Sequence, residues 1–424
     1  MLAAPALAPD VKLREAWAWS MYDFANSGYT TVVITAVFSA FFVSSVAGNQ
    51  PWATFAWTAA LSISYALILL TGPLVGAWAD AHAAKKALLL VSTVGCVAFT
   101  AALALVSPGA VALALALIVL SNYFFGTGEN LIAAFLPELA DSRAMGRVSG
   151  WGWAFGYCGG LVALGLCLAY LLGSGRPAEE AVPVTMLITA AFFAVAAAPT
   201  FVFLRERARP QPGFGNPWAR VRRTLGEARR YADLRRFLVC ILFYQAGITA
   251  VISLAAIYAE QVMKFTMRDT ITLILVVNLT AALGAFGFGY VQDAIGHVRA
   301  LALTLVGWIV MVCITGTTES VAGFWLAANL AGLCMGSSQA AGRALVGYLA
   351  PPARLAEFFG LWGLAVKAAS LFGPLTYGIV TWLFGGNHRL GLFATGLYFV
   401  VGLALLKGID VERGRRQALG TAGA

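Results

Sequence analysis

The sequence predicts an all-α polytopic membrane protein, with twelve transmembrane helices arranged as two related halves of six. Three observations carry this. Apolar residues make up 60% of the 424 positions and charged residues only 11%, far from the soluble norm of roughly half apolar and a quarter charged. Twelve stretches are apolar over the roughly 20 residues that a bilayer crossing takes. A short signature also occurs twice: Gly76-Ala77-Trp78-Ala79-Asp80 followed by Lys85 and Lys86, and Gly289-Tyr290-Val291-Gln292-Asp293 followed by Arg299. Its aspartates lie 213 positions apart, and duplicated membrane halves are how alternating-access carriers are built. A secondary transporter is the expected class.

Residues 1–16 read as a tail. Spans at 17–43, 54–79, 87–107, 110–136, 150–172 and 182–204 form an N-terminal bundle, 17–204. The first holds Asp23 and polar neighbours, so it lacks the clean apolar core of a cleavable signal peptide. The stretch 205–236 is a linker, opened by Pro210, Pro212, Gly213, Gly215 and Pro217. From Trp218, apolar residues recur at helical spacing between arginines, the pattern of a helix lying on the membrane surface. Its expected role is a tether, with a lipid-sensing arm as the alternative. Spans at 237–259, 271–292, 298–318, 321–349, 358–384 and 390–407 form a C-terminal bundle, 237–407, and 408–424 is a second tail.

Basic residues set the orientation. With both termini on one side, that side's loops hold 22 of the 28 Lys and Arg, while the opposite loops hold Arg176, Lys264, Arg268 and Arg389. Basic loops stay cytoplasmic, so both termini are expected in the cytoplasm, in a bacterial-type inner membrane. The net charge of +9 is then a topology signal and an attraction to anionic lipid; nucleic acid is not an expected partner. All six cysteines fall in spans without metal-ligand spacing and read as small buried hydrophobes. His82, His297 and His388 do not cluster, so no metal site is expected. The sequence has no Gly-Lys-Ser/Thr phosphate loop and no protease-type residue set, so neither enzyme chemistry nor a cofactor is expected. Transport would run on an ion gradient or the solute's own.

The duplicated signature has a mechanical reading. Gly76 and Gly289 allow close helix approach. Asp80 and Asp293, at span ends, can pair with basic residues such as Lys85, Lys86 and Arg299, or cap a neighbouring helix. These are gating parts rather than solute ligands.

Trp19-Ser20-Met21-Tyr22-Asp23-Phe24-Ala25-Asn26-Ser27, followed by Tyr29 and Thr30, resembles the opening signature of the vacuole-effluxer-like branch of the major facilitator superfamily. The likeness continues in Ser149-Gly150-Trp151-Gly152-Trp153-Ala154-Phe155-Gly156-Tyr157-Cys158-Gly159-Gly160 and in Gly336-Ser337-Ser338-Gln339 with Arg343. It extends to Ala356-Glu357-Phe358-Phe359-Gly360 and to Lys367 with Gly373-Pro374. The resemblance implies the major-facilitator fold: two pseudo-symmetric six-helix bundles around a cavity lined mainly by the first, fourth, seventh and tenth helices. It also implies small-solute transport, amino-acid efflux being attributed to fungal vacuolar members. Ala246-Gly247 stands where the family usually has Asp-Gly, so one carboxylate of the second half is missing.

Charges inside spans are costly and mark pathways or relays by default. Asp23, Glu129, Arg343 and Lys367 are the clear cases, and at about 1.5 Å per residue all four lie roughly 9–14 Å from one membrane face. They form one layer with no net charge. Glu129 and Arg343 occupy matching places 214 apart, and the expectation is that they meet when the cytoplasmic side closes. Such a layer can receive a zwitterion, and Asp23 and Glu129 are the candidates for proton coupling; the structural alternative is a static network fastening the bundles. Asn26, Asn130, Tyr244, Gln245 and Gln339 fill out the expected site, whereas Asn122, Asn278 and Asn329 read as packing contacts. Trp17, Trp19, Trp52 and Trp57 read as an interfacial belt; Trp151 and Trp153, which flank glycines, read as interface anchors, with a place facing the cavity as the alternative. The expected function is proton-coupled export of amino acids or similar zwitterions by a monomer whose partners are the solute, the coupling ion and membrane lipid. An ion-coupled sugar symporter and a non-transporting membrane sensor or assembly factor are the alternatives.

Overall fold

A computed structural model describes residues 6–210, 231–265 and 267–420. Among the described residues, twelve helices are long and apolar enough to cross a membrane, making this an integral multi-pass protein. In the first half they are α1 (Leu13–Val46), α2 (Phe55–His82), α3 (Lys85–Leu105), α4 (Val111–Leu139), α5 (Met145–Ser174) and α6 (Ala178–Phe203). The second half holds α7 (Ala232–Ser253), α8 (Thr272–Ile295), α9 (His297–Thr317), α10 (Val321–Leu349), α11 (Pro352–Leu383) and α12 (His388–Leu406). A short helix, α13 (Val411–Ala418), follows. Along α1 the β-branched run Thr30-Thr31-Val32-Val33-Ile34 suits a tight α-turn poorly, and the helix widens there into π-type turns.

Pseudo-symmetry is visible in side-chain packing. Gly28 of α1 lies against Phe192 of α6 just as Gly247 of α7 lies against Phe399 of α12. The Tyr22 hydroxyl sits over Gly128 of α4, and the Tyr244 hydroxyl over Gly342 of α10. Inside the first half α1 packs on α5 and α6; between halves the main contacts are α2 on α11 and α5 on α8, with α5 also reaching α10 and α4 reaching α11. The α1–α5 contact is close because α5 turns a glycine edge to its neighbour: a Cβ on Gly159 would run into the Phe24 carbonyl, and one on Gly156 would sit 2.9 Å from Ser27 Oγ.

Several helices begin a turn or more earlier than hydropathy predicts, α5 and α7 among them. α5 starts at Met145 and α7 at Ala232. Their first turns carry charged residues, which an apolarity criterion rejects, but those turns are held by carboxylate and arginine contacts that burial alone does not foresee. The expected linker helix lies at residues 211–230 and so outside the described residues. The C-terminal tail is not loose. Asp233 accepts from the Asp410 backbone N–H and from two nitrogens of Arg413, at 2.7–2.9 Å, and Arg415 donates to the Tyr348 carbonyl at 2.8 Å. α13 therefore straps the ends of α7 and α10 together.

At the same end, here called the basic face, the N-terminal segment is pinned to the first half. The Ala8 N–H donates to the Leu139 carbonyl, and Arg207 bonds Asp10 at 2.8 Å and Glu15 at 3.0 Å. The Arg207 guanidinium holds the exposed Asp10 carboxyl below its usual value.

Candidate functional site

All four intramembrane charges point inward and are paired. Arg343 Nη1 of α10 donates to Asp23 Oδ2 of α1 at 2.6 Å, with side-chain exposures of 3% and 11%. Lys367 Nζ of α11 donates to Glu129 Oε2 of α4 at 3.0 Å, with exposures of 11% and 24%. Each pair joins one half of the molecule to the other. The expected Glu129–Arg343 contact is not formed: residues at matching places in two pseudo-symmetric halves lie on opposite sides of the axis, and each takes a partner from another helix.

The two pairs differ in their surroundings. Arg343 also donates from Nε to Ser149 Oγ at 3.1 Å and from Nη2 to the Ser149 carbonyl at 2.8 Å. Its guanidinium lies over Trp19 at 4.6 Å and over Trp153 at 5.4 Å from the ring centroids, a stacking suited to a planar cation. Gly152 leaves the room, since a Cβ there would collide with Asp23 Oδ2 and sit 2.5 Å from Arg343 Nη2 and 2.7 Å from Trp19. Lys367 is held by one oxygen and faces the rings of Tyr65 and Phe125 at 5.5 and 5.7 Å.

The polar residues expected around this layer behave unevenly. Gln339 donates to the Tyr157 hydroxyl at 3.3 Å across the halves. Asn26, Asn130, Tyr244 and Gln245 are buried. Asn26 Oδ1, both amide atoms of Asn130 and Gln245 Oε1 have no hydrogen-bond partner among the described residues. Asn130 is wedged between Gly72 of α2 and Gly363 of α11, where a Cβ on either glycine would touch its amide. Ala246 is buried, and its carbonyl faces Gly373 of α11.

The duplicated aspartates meet the opposite half at the basic face. Asp80 accepts from the Ala356 and Glu357 backbone N–H groups at 3.1 and 2.9 Å, at the start of the regular part of α11. Asp293 accepts from the Gly146 and Arg147 N–H groups at 2.9 and 3.2 Å, at the start of α5, and from Arg147 Nε at 2.8 Å. A Cβ on Gly76 would strike the Ala356 carbonyl, and one on Gly289 would lie 2.7 Å from the Gly146 carbonyl. These contacts join the two halves at the basic face.

The signature's basic residues do not join these contacts. Lys85 pairs with Glu138 of its own half, and Lys86 Nζ donates to the Leu204 carbonyl at 2.6 Å. Their backbone N–H groups are capped by Glu206. Arg299 is exposed and is not the partner of Asp293. The reason is geometric: Lys85 and Lys86 begin α3, which packs with α4 and α6 rather than with the second half.

Several other expectations change. Trp19 and Trp57 are buried rather than interfacial, while Trp17 and Trp52 are exposed. Trp153 faces Arg343 and is not an anchor. Cys158 and Cys313 are exposed, unlike the other four cysteines. Asn122 donates to Ser64 of α2, whereas Asn278 and Asn329 bond carbonyls of their own helices. Sequence reasoning missed Arg147, Ser149, Gly152 and Tyr65. The signal for Gly152 was its place in a glycine run with period near four; Arg147 stood among loop cations without a distinguishing mark.

An apolar cavity of about 90 Å³ lies inside the second half, among Tyr258, Trp308, Met311 and Phe324. Its lining is almost all carbon, so it offers nothing to a charged solute.

Comparison with known proteins places this architecture. The sequence model of a family described as "Vacuole effluxer Atg22 like" matches residues 52–419, leaving the Trp19–Ser27 stretch outside the match. The Uncharacterized MFS-type transporter YxiO of Bacillus subtilis is 26% identical over 411 residues, covering 93% of this chain and 94% of that one. Autophagy-related protein 22-1 of Aspergillus fumigatus is 25% identical over 331 residues, covering 70% of this chain and 54% of its own, so this chain spans about half the length of that fungal relative. Among solved structures, the proton:xylose symporter XylE superposes with a TM-score of 0.76 at 13% identity, over 94% of this chain and 95% of that one. The human organic anion transporter MFSD10 does so with 0.74 at 17%, over 93% and 99%. At such identities these two likenesses establish the major-facilitator fold and nothing more.

Proposed function

The chain belongs to the Atg22-like vacuole-effluxer family, transporters of the major-facilitator type, and on that premise we propose that it exports amino acids or similar small zwitterions by proton-coupled alternating access. One observation carries the reading. The buried layer between the halves consists of two carboxylates and two cations in two cross-half pairs, a surrounding with no net charge that suits a solute with one charge of each sign. Any net charge brought there would be costly to bury.

In this reading the basic face is cytoplasmic, and the structure is the state closed on that side. The halves, 17–204 and 237–407, rock about the layer. Asp80 and Asp293, with Gly76 and Gly289, act as the cytoplasmic latches, and their release opens that face. Asp23 and Glu129 are the candidates for carrying the proton, since either carboxylate can be neutralised when its cation is drawn away. The protein works as a monomer in a bacterial-type inner membrane, because both pairs and both latches lie within one chain.

Flux of radiolabelled amino acids in proteoliposomes, with and without a pH step, tests this. Uptake that rises with an imposed proton gradient supports it. Flux of no amino acid under either condition refutes it. The buried unpartnered amides of Asn26, Asn130 and Gln245 favour a second reading, an ion-coupled sugar symporter, because amides bind hydroxyls; sugar flux in the same vesicles would select it. Loss of all solute flux would select a non-transporting sensor, against which the paired latches in both halves argue.

A further inference from the structure

The two ion pairs are built for different jobs. Arg343 is held on five sides, by Asp23, the Ser149 hydroxyl, the Ser149 carbonyl and two indoles. Gly152 touches the pair so closely that not even a methyl group fits beside it. A solute group has no room to enter there. Lys367 and Glu129 meet through a single bond, the carboxylate is about twice as exposed as that of Asp23, and both ends sit on flexible stems. Next to Lys367 the α4 backbone is Gly126, where a Cβ would lie 2.5 Å from Ile68 Cδ1 and 3.6 Å from Lys367 Cε.

Charge balance points the same way. A zwitterion that took its partners from both pairs would leave Asp23 and Lys367 as orphaned buried charges, which is strongly unfavourable. A zwitterion inserted into one pair orphans nothing: its ammonium takes Glu129, its carboxylate takes Lys367, and every charge keeps an opposite neighbour. We infer that the solute splits the Glu129–Lys367 pair alone, with Glu129 receiving the ammonium and Lys367 the carboxylate, while Asp23–Arg343 stays closed as a fixture joining α1 to α10. This rests on the zwitterion reading above and narrows it to two residues. It also removes Asp23 from the set of solute ligands and, because its cation is then never drawn away, leaves Glu129 alone as the candidate for the proton.

The test is a thermal-shift titration of purified full-length protein with free α-amino acids, their methyl esters, which lack the anionic end, and their N-acetyl forms, which lack the cationic end. The wild-type chain should be stabilised only by amino acids carrying both charges. Glu129→Gln and Lys367→Gln should each weaken that response at least ten-fold in concentration. The double exchange E129K/K367E should recover it, because the split pair accepts a zwitterion in either direction. Asp23→Asn and Arg343→Gln should lower the melting temperature of the free protein yet leave the concentration for half-maximal shift within about two-fold. A wild-type response that survives both Glu129→Gln and Lys367→Gln, or that vanishes in Asp23→Asn at unchanged fold, overturns the inference and leaves the zwitterion reading standing. No response of the wild-type chain to any amino acid overturns both. Recovery in the double exchange guards against a trivial folding failure of the single variants.

Discussion

Replacing Asp293 by alanine is the most informative perturbation of the basic face. The carboxylate caps two free N–H groups of α5, and loss of such a cap costs about 0.5–2 kcal/mol. It also accepts from Arg147 Nε at 2.8 Å, with both side chains mostly buried at 13% and 10% exposure. A hydrogen bond to a charged group contributes about 1.5–3 kcal/mol. Both contributions exist only while α5 and α8 are in contact, so their loss, about 3 kcal/mol in total, falls on the closed state. At about 1.4 kcal/mol per factor of ten, the ratio of closed to open should drop roughly a hundred-fold. An open state populated at about 1% would then become a major species. Spin labels at Arg143 and Arg299, both exposed and on opposite halves, report the gap by pulsed dipolar spectroscopy once the exposed Cys158 and Cys313 are replaced. The parent should give one short distance, and Asp293→Ala should add a longer one of comparable weight. An unchanged distribution in a folded variant would refute the latch. Asp80→Ala should act in the same direction but more weakly, because that carboxylate caps two backbone N–H groups whereas Asp293 holds the Arg147 guanidinium in addition.

Further outcomes follow from individual contacts. Gly152→Ala forces a methyl into the Asp23–Arg343 pair and should destabilise by about 1–3 kcal/mol as overpacking, read as a lowered midpoint in detergent. Arg343→Lys keeps the charge but cannot reproduce the planar fork between Trp19 and Trp153; its midpoint should fall below that of the parent although flux of a zwitterion persists. Deleting residues after Gly408 removes the strap, and hydrogen exchange should then rise at the first turn of α7, where Asp233 loses Arg413 and the Asp410 N–H. The Asp10–Arg207 contact has a definite pH sign. Because the carboxyl's value is depressed in the folded chain, the contact contributes fully above the ordinary carboxylate value and is lost as pH falls through the depressed one. Proteolytic cleavage near residue 10 should therefore rise only in acid below about pH 4, and Asp10→Asn should raise it at neutral pH.

Much of this protein is dictated locally. Twelve runs too apolar for water and too long for a soluble core must become bilayer helices, because every backbone polar group in hydrocarbon has to be satisfied within its own segment. The repeat of Gly76 to Asp80 at Gly289 to Asp293 reveals two halves without any fold knowledge. The inward position of Asp23, Glu129, Arg343 and Lys367 follows equally, since charges facing lipid are too costly to keep.

Partnership is what the chain order could not supply. Glu129 and Arg343 look like mates because they match in the repeat, yet pseudo-equivalent residues stand across the axis, and the real mates, Asp23 with Arg343 and Glu129 with Lys367, are fixed by which helices the halves bring together. Arg147 looked like one loop cation among many until α5 met α8. Trp19 and Trp153 read as interface anchors because an indole suits both a membrane boundary and a buried guanidinium, and only the packing of α1, α5 and α10 decides between them. Composition and spacing settle what must be hidden from water or from lipid. Contact between segments hundreds of residues apart settles which hidden group answers which.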